Sequence, residues 1–405
     1  MIKNNIAKKR YIIEFLFKNL GLFSIVSTIV ILFILMFSIF SKGYTSFYTH
    51  YLTLEVPLLQ HNDNANYEEI LYGSLNAMLK KSNIENIDKI QTSDLLSSIS
   101  ISELQNVAST LKNKNNAESH KIELLVSSNV DMVLKHYLGA GYLLNEETIQ
   151  AIEQLKKQGL IQTRFNNLFF KNSDSRYPEL AGIKGAFLGT LYTISLTIIF
   201  SVIISIGAGI YLEEFAPKNR LINIIEININ NLAAVPSIVF GLLGLTIFQH
   251  FLGVPRATPL LASFVLTLMS LPTIIIATRV ALSSVPNSIK EAAYGMGASK
   301  VQVVILHLLP LSMPSILTGI IISISRVLGE TAPLLMIGMV AFMNNTPSSI
   351  LSNAVAFPVQ ILLWSDSPEI GFIEKASAAS MLLLIFLLFV NWLSIYLRNK
   401  FEVKL

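Results

Sequence analysis

The sequence contains no cysteine among its 405 residues, and only 14% of its residues are charged. Without cysteine the chain can form neither a disulfide framework nor a thiolate metal site. Soluble globular domains carry roughly 25% charged residues. The low charge, the 52% share of hydrophobic residues and the mean hydropathy of +0.57 therefore indicate that much of the surface faces lipid.

Motifs that carry enzymatic chemistry are also missing. The chain has no Gly-x-x-x-x-Gly-Lys-Ser/Thr loop, so we expect that it neither binds nor hydrolyses ATP itself. Its six histidines show no metal-ligand spacing, and no nucleophile elbow or plausible carboxylate pair is found. The sequence therefore predicts a protein that is not an enzyme and has neither a metal site nor a cofactor of its own.

Long apolar runs dominate what is present. A helix needs about 20 apolar residues to cross a bilayer core of about 30 Å. The first run, Leu20–Ser41, is too long for the apolar region of a signal peptide and lacks a clear cleavage site. Five more candidate spans follow: Gly185–Leu212, Ile227–Leu252, Pro259–Leu282, Ser312–Phe342 and Ala376–Leu397. We expect an all-α integral membrane protein with six transmembrane helices.

The basic residues orient these spans. Those of the tails and short loops fall on one side of the predicted membrane, and the short loops of the other side offer only Arg256 and Lys375. Cytoplasmic loops carry an excess of lysine and arginine. The pattern predicts a multi-pass protein of the bacterial inner membrane with both termini in the cytoplasm. The net charge of +4 then reflects topology rather than nucleic-acid binding.

The polar segment between the first two spans, residues 43–180, is the main soluble piece. We expect a helical extracytoplasmic insert, because apolar residues recur at helical spacing and no strand-like alternation is found. The predicted helices cover Tyr67–Leu79, Ser102–Leu111 and a segment that Asn145 caps and that runs to Gly159. The polar stretch Lys112–Glu118 predicts an exposed loop.

The predicted domain organisation has three parts. Residues 1–42 form an N-terminal tail and the first span, residues 43–180 form the insert, and residues 181–405 form a membrane core with spans two to six.

A distinctive segment connects spans four and five on the predicted cytoplasmic side. Its residues predict a short helix over Ile289–Met296, a turn at Gly295 and Gly297, and a second helix stopped by Pro310. Helix-forming residues and glycine alone leave open an ordinary connecting loop.

This segment resembles the EAA loop of binding-protein-dependent ABC import permeases. The matching residues are Glu291, Ala292, Ala293, Gly297, Leu309 and Pro310. His307 departs from the pattern, which usually has isoleucine there, and this departure puts the local packing in doubt. The resemblance implies that the loop docks in a cleft of a cytoplasmic ATPase and transmits its motion.

Longer strings resemble the PstA family of phosphate permeases from about Gly182 to the C-terminus. They are Tyr211–Arg220, Asn231–Gly244, Arg326–Leu335 and Phe357–Ile361. The resemblance implies a type I ABC importer fold and half of a path for inorganic phosphate. It also implies three partners: a PstC-like second permease, a PstB-like ATPase dimer that uses ATP and Mg, and a PstS-like phosphate-binding protein. The sister phosphate subunit and permeases for sulfate or molybdate remain alternatives.

Charged residues inside the spans are candidates for the substrate path. Arg326 lies about 14 residues, or roughly 21 Å, into span five, and Glu330 follows one helical turn later. A cation at that depth usually faces a water-filled cavity or a partner. The two residues can form a structural ion pair, or Arg326 can meet the oxyanion through its planar fork. Arg279 near the cytoplasmic end either snorkels or adds a second cation.

Two other classes of protein fit this sequence less well than a transport permease. A membrane-anchored sensor with residues 43–180 as its ligand domain would need a cytoplasmic output domain, for which this sequence has no room. An intramembrane enzyme would need a catalytic constellation, and none is found. Both comparisons favour a transport permease.

Overall fold

The structure, a computed structural model, describes residues 2–57, 67–84, 90, 92–97, 99–111, 120–137, 139–340 and 342–401. It begins with helix α1 (Ile2–Gly43), which contains the predicted first span. The most apolar window of this helix has a mean hydropathy of 2.8, and none of that window is buried inside the chain. A helix that is apolar all round and uncovered in this way is suited to lipid.

The insert is built on a three-stranded antiparallel sheet. The central strand β1 (Tyr48–Val56) pairs on one edge with β2 (His120–Leu125) and on the other with β3 (Ile161–Phe165). Five helices accompany the sheet: α2 (Tyr67–Lys81), α3 (Ser100–Leu111), α4 (Ser128–Leu134), α5 (Glu146–Lys157) and α6 (Asn167–Lys171). Leu52, Leu54 and Val56 of β1 are buried in one core with residues of α2 and α5.

The expectation of a purely helical insert needs correction. Helices α2, α3 and α5 form close to where they were predicted, and the Asn145 side chain accepts a hydrogen bond from the Thr148 N–H, as a cap should. The sheet was missed although Leu52–Val56 alternates apolar and polar residues, because the alternating run is only five residues long. The predicted loop Lys112–Glu118 lies outside the described residues.

The membrane part begins at Lys184. Its helices are α7 (Lys184–Ile210), α8 (Arg220–Leu232), α9 (Ser237–Leu243), α10 (Pro259–Ser283), α11 (Asn287–Gly295), α12 (Lys300–Val303), α13 (Leu309–Leu328), α14 (Ala332–Met336), α15 (Phe357–Ser365) and α16 (Ile370–Phe401). The most apolar window of α10 is 61% buried, more than that of any other long apolar helix in the described residues. Five long apolar helices and one broken pair confirm the α-helical membrane architecture. The domain boundaries at 42/43 and 180/181 stay predictions.

Two predicted spans are not continuous helices. The span Ile227–Leu252 is interrupted between Leu232 and Ser237, where α8 and the helical segment that starts with α9 meet at 111°. The break contains Pro236, and the residue before a proline disfavours helical geometry. The span Ser312–Phe342 ends early, because α13 stops at Leu328.

Pro310 does not stop a helix, contrary to expectation. Helical structure runs from Lys300 to Leu328 through a widened turn at Val304–Leu308, in which the Leu309 N–H donates to the Val304 carbonyl five residues earlier. A π-type turn of this kind changes the local pattern of backbone hydrogen bonds. The helix can therefore continue through Pro310, which has no N–H to donate.

The insert is fastened to the membrane part by a buried group of charges. We call His50, Asp131, Lys135 and Glu374 the junction cluster. The Lys135 ammonium lies 2.6 Å from the Asp131 carboxylate and 3.0 Å from that of Glu374 in α16, and His50 Nδ1 lies 2.8 Å from Asp131. The Lys135 and Glu374 side chains are each only 1% exposed.

The charges of the junction cluster are mutually dependent. Burial alone would raise the pKa of Asp131, but the Lys135 ammonium and the His50 hydrogen bond outweigh it and leave that pKa lowered. Burial would likewise lower the pKa of Lys135, yet the carboxylates of Asp131 and Glu374 hold it raised. Removing one member would therefore leave an uncompensated buried charge.

The sequence context of Lys375 had indicated a short loop. In the structure Lys375 instead lies beside the junction cluster. It belongs to α16 and is 4% exposed, and its ammonium lies 4.9 Å from the ring centre of Phe169. Gly43 at the end of α1 also packs tightly here, since a Cβ at that position would come within 2.8 Å of the Ser377–Ala378 backbone. The insert, the end of α1 and the start of α16 thus form one packed unit.

Candidate translocation path and coupling loop

Arg326 and Glu330 lie together where α13 ends. The Arg326 Nε and a Glu330 carboxylate oxygen are 3.8 Å apart, which makes an ion pair without a hydrogen bond. The Arg326 side chain is 50% exposed and that of Glu330 20%. Arg326 sits in the last turn of α13, where the helix dipole favours a cation. Its guanidinium therefore keeps free donors for another group.

The depth of Arg326 follows from the packing of α13 on α10. Gly319 contacts Ala277 so closely that a Cβ on the glycine would lie 2.2 Å from the alanine Cβ. Arg326 is seven residues, or roughly 10 Å, beyond this contact, and Ala277 is roughly 27 Å from the start of α10 at Pro259. Because the two helices run in opposite directions, Arg326 lies at the level of the middle of α10.

The two interrupted spans, Ile227–Leu252 and Ser312–Phe342, pack against each other close to the level of Arg326. Gly241 of α9 packs against α14, where an added Cβ would lie 2.9 Å from the Pro333 Cα and carbonyl oxygen. Irregular backbone at membrane depth is tolerated only where protein buries it or water lines it. The interrupted segments pack together next to the half-exposed Arg326. They therefore form a candidate wall of a transport path.

Arg279 has a different environment from Arg326. Its guanidinium pairs with Glu213 at 3.3 Å and with Glu226 at 2.9 Å, and so joins α10 to the end of α7 and to α8. Close by, Lys290 of α11 pairs with Glu214 at 2.6 Å. We call these contacts the coupling-end pairs. The sequence analysis did not anticipate the carboxylates, which are distant in sequence from both cations.

The segment that resembles the EAA loop forms two helices joined by a tight turn. Ala293 of α11 is buried against Leu282, Val303 and Leu308, whereas Glu291 and Ala292 on the same helix are exposed. Gly297 has a φ of +86°, a left-handed conformation that glycine adopts without strain. Ser299 then starts α12 with a reciprocal capping box to Gln302. The predicted turn at Gly297 is found.

The outer side of this loop carries exposed apolar residues that the sequence analysis did not single out. Met296 is 83% exposed, Leu306 64% and Tyr294 43%. Of the motif residues, Gly297 and Pro310 are exposed and Leu309 is half-buried. Apolar side chains displayed around a rigid turn are typical of a surface that a partner covers.

This architecture is that of a multi-pass membrane transport permease. Residues 201–402 match the family described as binding-protein-dependent transport system inner membrane component, and residues 4–141 match a domain of unknown function, DUF3333. The chain belongs to the binding-protein-dependent transport permease family, whose members are inner-membrane transport subunits rather than enzymes.

Individual relatives match between 54% and 60% of this chain. The phosphate transport system permease protein PstA of Yersinia pestis is 33% identical over 54% of this chain and 74% of its own length. PstA of Haemophilus influenzae is 30% identical over 58% of this chain and 81% of its own length. The probable ABC transporter permease YqgI of Bacillus subtilis is 29% identical over 60% and 87%.

A solved structure is also similar in part. A chain of the inward-facing MetNI methionine ABC transporter matches 54% of this chain and 96% of its own length, with 18% identity and a TM-score of 0.43.

Proposed function

We propose that the chain is the permease subunit of an ATP-driven importer of inorganic phosphate and forms half of its translocation path. The observation that carries this proposal is the position of Arg326, half-exposed at the level of the middle of α10 and beside two interrupted helices. The similarity of more than half of the chain to two PstA proteins supports phosphate as the substrate. A permease for sulfate or molybdate, or the sister phosphate subunit, is the alternative.

In the proposed path, Arg326 binds the phosphate oxyanion through its guanidinium fork, which suits tetrahedral oxyanions. Glu330 lies 3.8 Å away, close enough to compete for the cation and too far to hold it by a hydrogen bond. The carboxylate therefore weakens phosphate binding enough for release. Arg279 already pairs with two carboxylates, which favours a structural role over the second path cation that its position suggested.

The similarity to PstA proteins and the exposed loop surface support three partner subunits. A PstC-like second permease would complete the path, a PstB-like ATPase dimer would bind Glu291–Pro310, and a PstS-like binding protein would deliver phosphate. Both termini and the coupling loop would face the cytoplasm and the insert would lie outside. ATP and Mg would be used by the ATPase alone. ATP binding would then move the loop and open the path outward.

The test is uptake of labelled phosphate in vesicles that contain the assembled transporter and ATP. Uptake that persists in excess sulfate supports a phosphate permease, whereas uptake abolished by sulfate moves the assignment to another oxyanion. Arg326→Gln should remove most uptake at matched membrane levels. Arg256→Gln, which changes an exposed arginine far from this depth, is the control. Normal uptake in Arg326→Gln would contradict the proposed path.

A further inference from the structure

Aromatic side chains form an exposed stack on the edge of the insert. Phe165 at the end of β3 stacks on Phe170 of α6 with ring centres 5.7 Å apart, and Phe170 stacks on Phe47 at 5.9 Å. Phe165 is 58% exposed and Phe170 39%, and nearby Tyr44 is 51% exposed. We call Tyr44, Phe165 and Phe170 the aromatic patch.

The stack holds these rings in fixed positions while leaving much of their surface exposed. Phe47 also contacts the buried ring of Phe169, which packs on Trp364 of α15. Apolar surface left in water costs roughly 25 cal/mol per Å². In addition, Gln162–Phe165 of edge strand β3 are exposed on both faces of the sheet. A rigid and uncovered aromatic surface at this edge indicates that something apolar covers it.

The position of the aromatic patch indicates what covers it. The apolar run of α1 ends at about Ser41, and the 3-10 turn Tyr44–Phe47 follows directly. At about 2 Å per residue, the turn rises only several ångströms beyond the hydrocarbon edge. The headgroup layers add roughly 5–7 Å on each side of the core. The aromatic patch therefore begins within the layer where aromatic residues of membrane proteins concentrate.

The charges around the patch agree with this position. Lys42 in the last turn of α1 and Lys171 at the end of α6 are both exposed beside the aromatic rings. Flanking lysines of this kind reach headgroup phosphates while their stems remain in apolar surroundings. Along α1, exposed apolar side chains extend to Phe40, which is 39% exposed and lies four residues before Tyr44.

We propose that the aromatic patch docks on the headgroup layer of the bilayer and holds the insert down on the membrane surface. The junction cluster fixes the insert to α16, and the nearby aromatic patch fixes it to lipid. This interaction is independent of the transported substrate.

The absence of native cysteine allows a direct test with nitroxide labels on single cysteines in the full transporter. The variants are Phe165→Cys and Phe170→Cys, reconstituted in nanodiscs of phosphatidylethanolamine and phosphatidylglycerol. Gln162→Cys, exposed on the other face of β3, is the matched control, and Ile29→Cys in α1 is the lipid reference. Collision with oxygen reports lipid exposure, and collision with a water-soluble nickel chelate reports water exposure.

The proposal predicts that labels at 165 and 170 have a several-fold higher oxygen-to-nickel accessibility ratio than the label at 162, approaching that at 29. Ratios equal to the value at 162 would place the patch in water and overturn the proposal. Protection from both reagents would show that a protein subunit covers the patch, and this result would overturn it as well.

Discussion

The two ends of the membrane bundle are held together by charges in different ways. At the insert end, Lys135 and Glu374 are almost fully buried and cannot separate without exposing an unpaired charge to a dry environment. At the other end, Arg279 and its two glutamates are each about a quarter exposed, at 23–26%. Ion pairs that water reaches are partly screened and contribute less to stability than fully buried ones lose when they are broken.

The difference indicates which end is built to move. The insert end is one packed unit, with Gly43 against α16 and the junction cluster inside it. The coupling end exposes Met296 and Leu306, and its Arg279 pairs are partly open to water, although Glu214 in its Lys290 pair is only 7% exposed. A transporter driven by an ATPase needs a responsive surface where the ATPase binds and a fixed frame elsewhere.

The largest effect is expected from Lys135→Met, which leaves Asp131 and Glu374 buried without their cation. Breaking a buried pair in this way costs about 3–5 kcal/mol, so the insert should detach or unfold at a lower temperature. Thermal unfolding and protease sensitivity of the insert measure this. Lys81→Met, which removes an exposed partner of Glu55, is the control and should change little.

The same cluster predicts a pH window for stability. The pKa of Asp131 is lowered in the folded protein, so its contribution is complete above roughly pH 3.9 and is lost as pH falls through the folded value. The pKa of Lys135 is raised, so its contribution is complete below roughly pH 10.4 and is lost as pH rises through the folded value. In the wild-type protein both contributions should therefore be complete between these limits. Detachment of the wild-type insert at neutral pH would contradict this assignment.

A smaller effect at the insert end is expected from Gly43→Val. The added side chain would collide with the backbone of α16, and overpacking of this kind typically costs about 1–3 kcal/mol. Gly21→Val, in open surroundings in the same helix, is the matched control. Equal melting temperatures for the two variants would show that the packing of α1 on α16 is looser than described.

At the coupling end, Gly297→Ala introduces a Cβ at a φ of +86° without any steric contact. The backbone strain at position 297 should cost about 1–2 kcal/mol and change the conformation of the loop locally. We therefore expect phosphate uptake to fall more than the stability of the whole protein. Gly295→Ala, also in open space but without positive φ, should retain uptake. Equal loss of uptake in both variants would show that the effect does not depend on the left-handed backbone conformation of Gly297.

The smallest effect on stability is expected from Met296→Ser, since this side chain is 83% exposed. The variant should fold and insert normally yet bind the ATPase subunit more weakly, as measured by co-purification and by uptake. Exposed Leu22→Ser in α1, at 63%, controls for loss of an exposed apolar side chain remote from the loop. Normal ATPase binding by Met296→Ser would show that the partner does not cover this surface.

The sequence was most informative where one pattern determines the structure. Apolar length predicted the membrane helices, and the spacing from Glu291 to Gly297 predicted the turn of the coupling loop. The sheet of the insert was missed because its alternating run is short. The break before Ser237 and the end of α13 at Leu328 were missed because hydropathy does not register a bend that neighbouring helices stabilise.

The partners of charged residues were the least predictable feature. Lys135 and Glu374 are separated by 239 positions, and nothing local marks them as a pair. For the same reason Lys375 was assigned to a loop and Arg279 was not assigned its two glutamates. The pairing depends on tertiary packing, which brings distant segments together and decides which charges are buried.

The most direct test of the account is whether ATP moves the coupling end while the insert end stays fixed. Two spin-label pairs report this by distance measurement in the assembled transporter: Glu153→Cys with Ser365→Cys for the insert end, and Ser288→Cys with Asn399→Cys for the coupling end. With a non-hydrolysable ATP analogue, the account predicts a shifted distance for the second pair and an unchanged one for the first. A shift in the first pair, or none in the second, would contradict it.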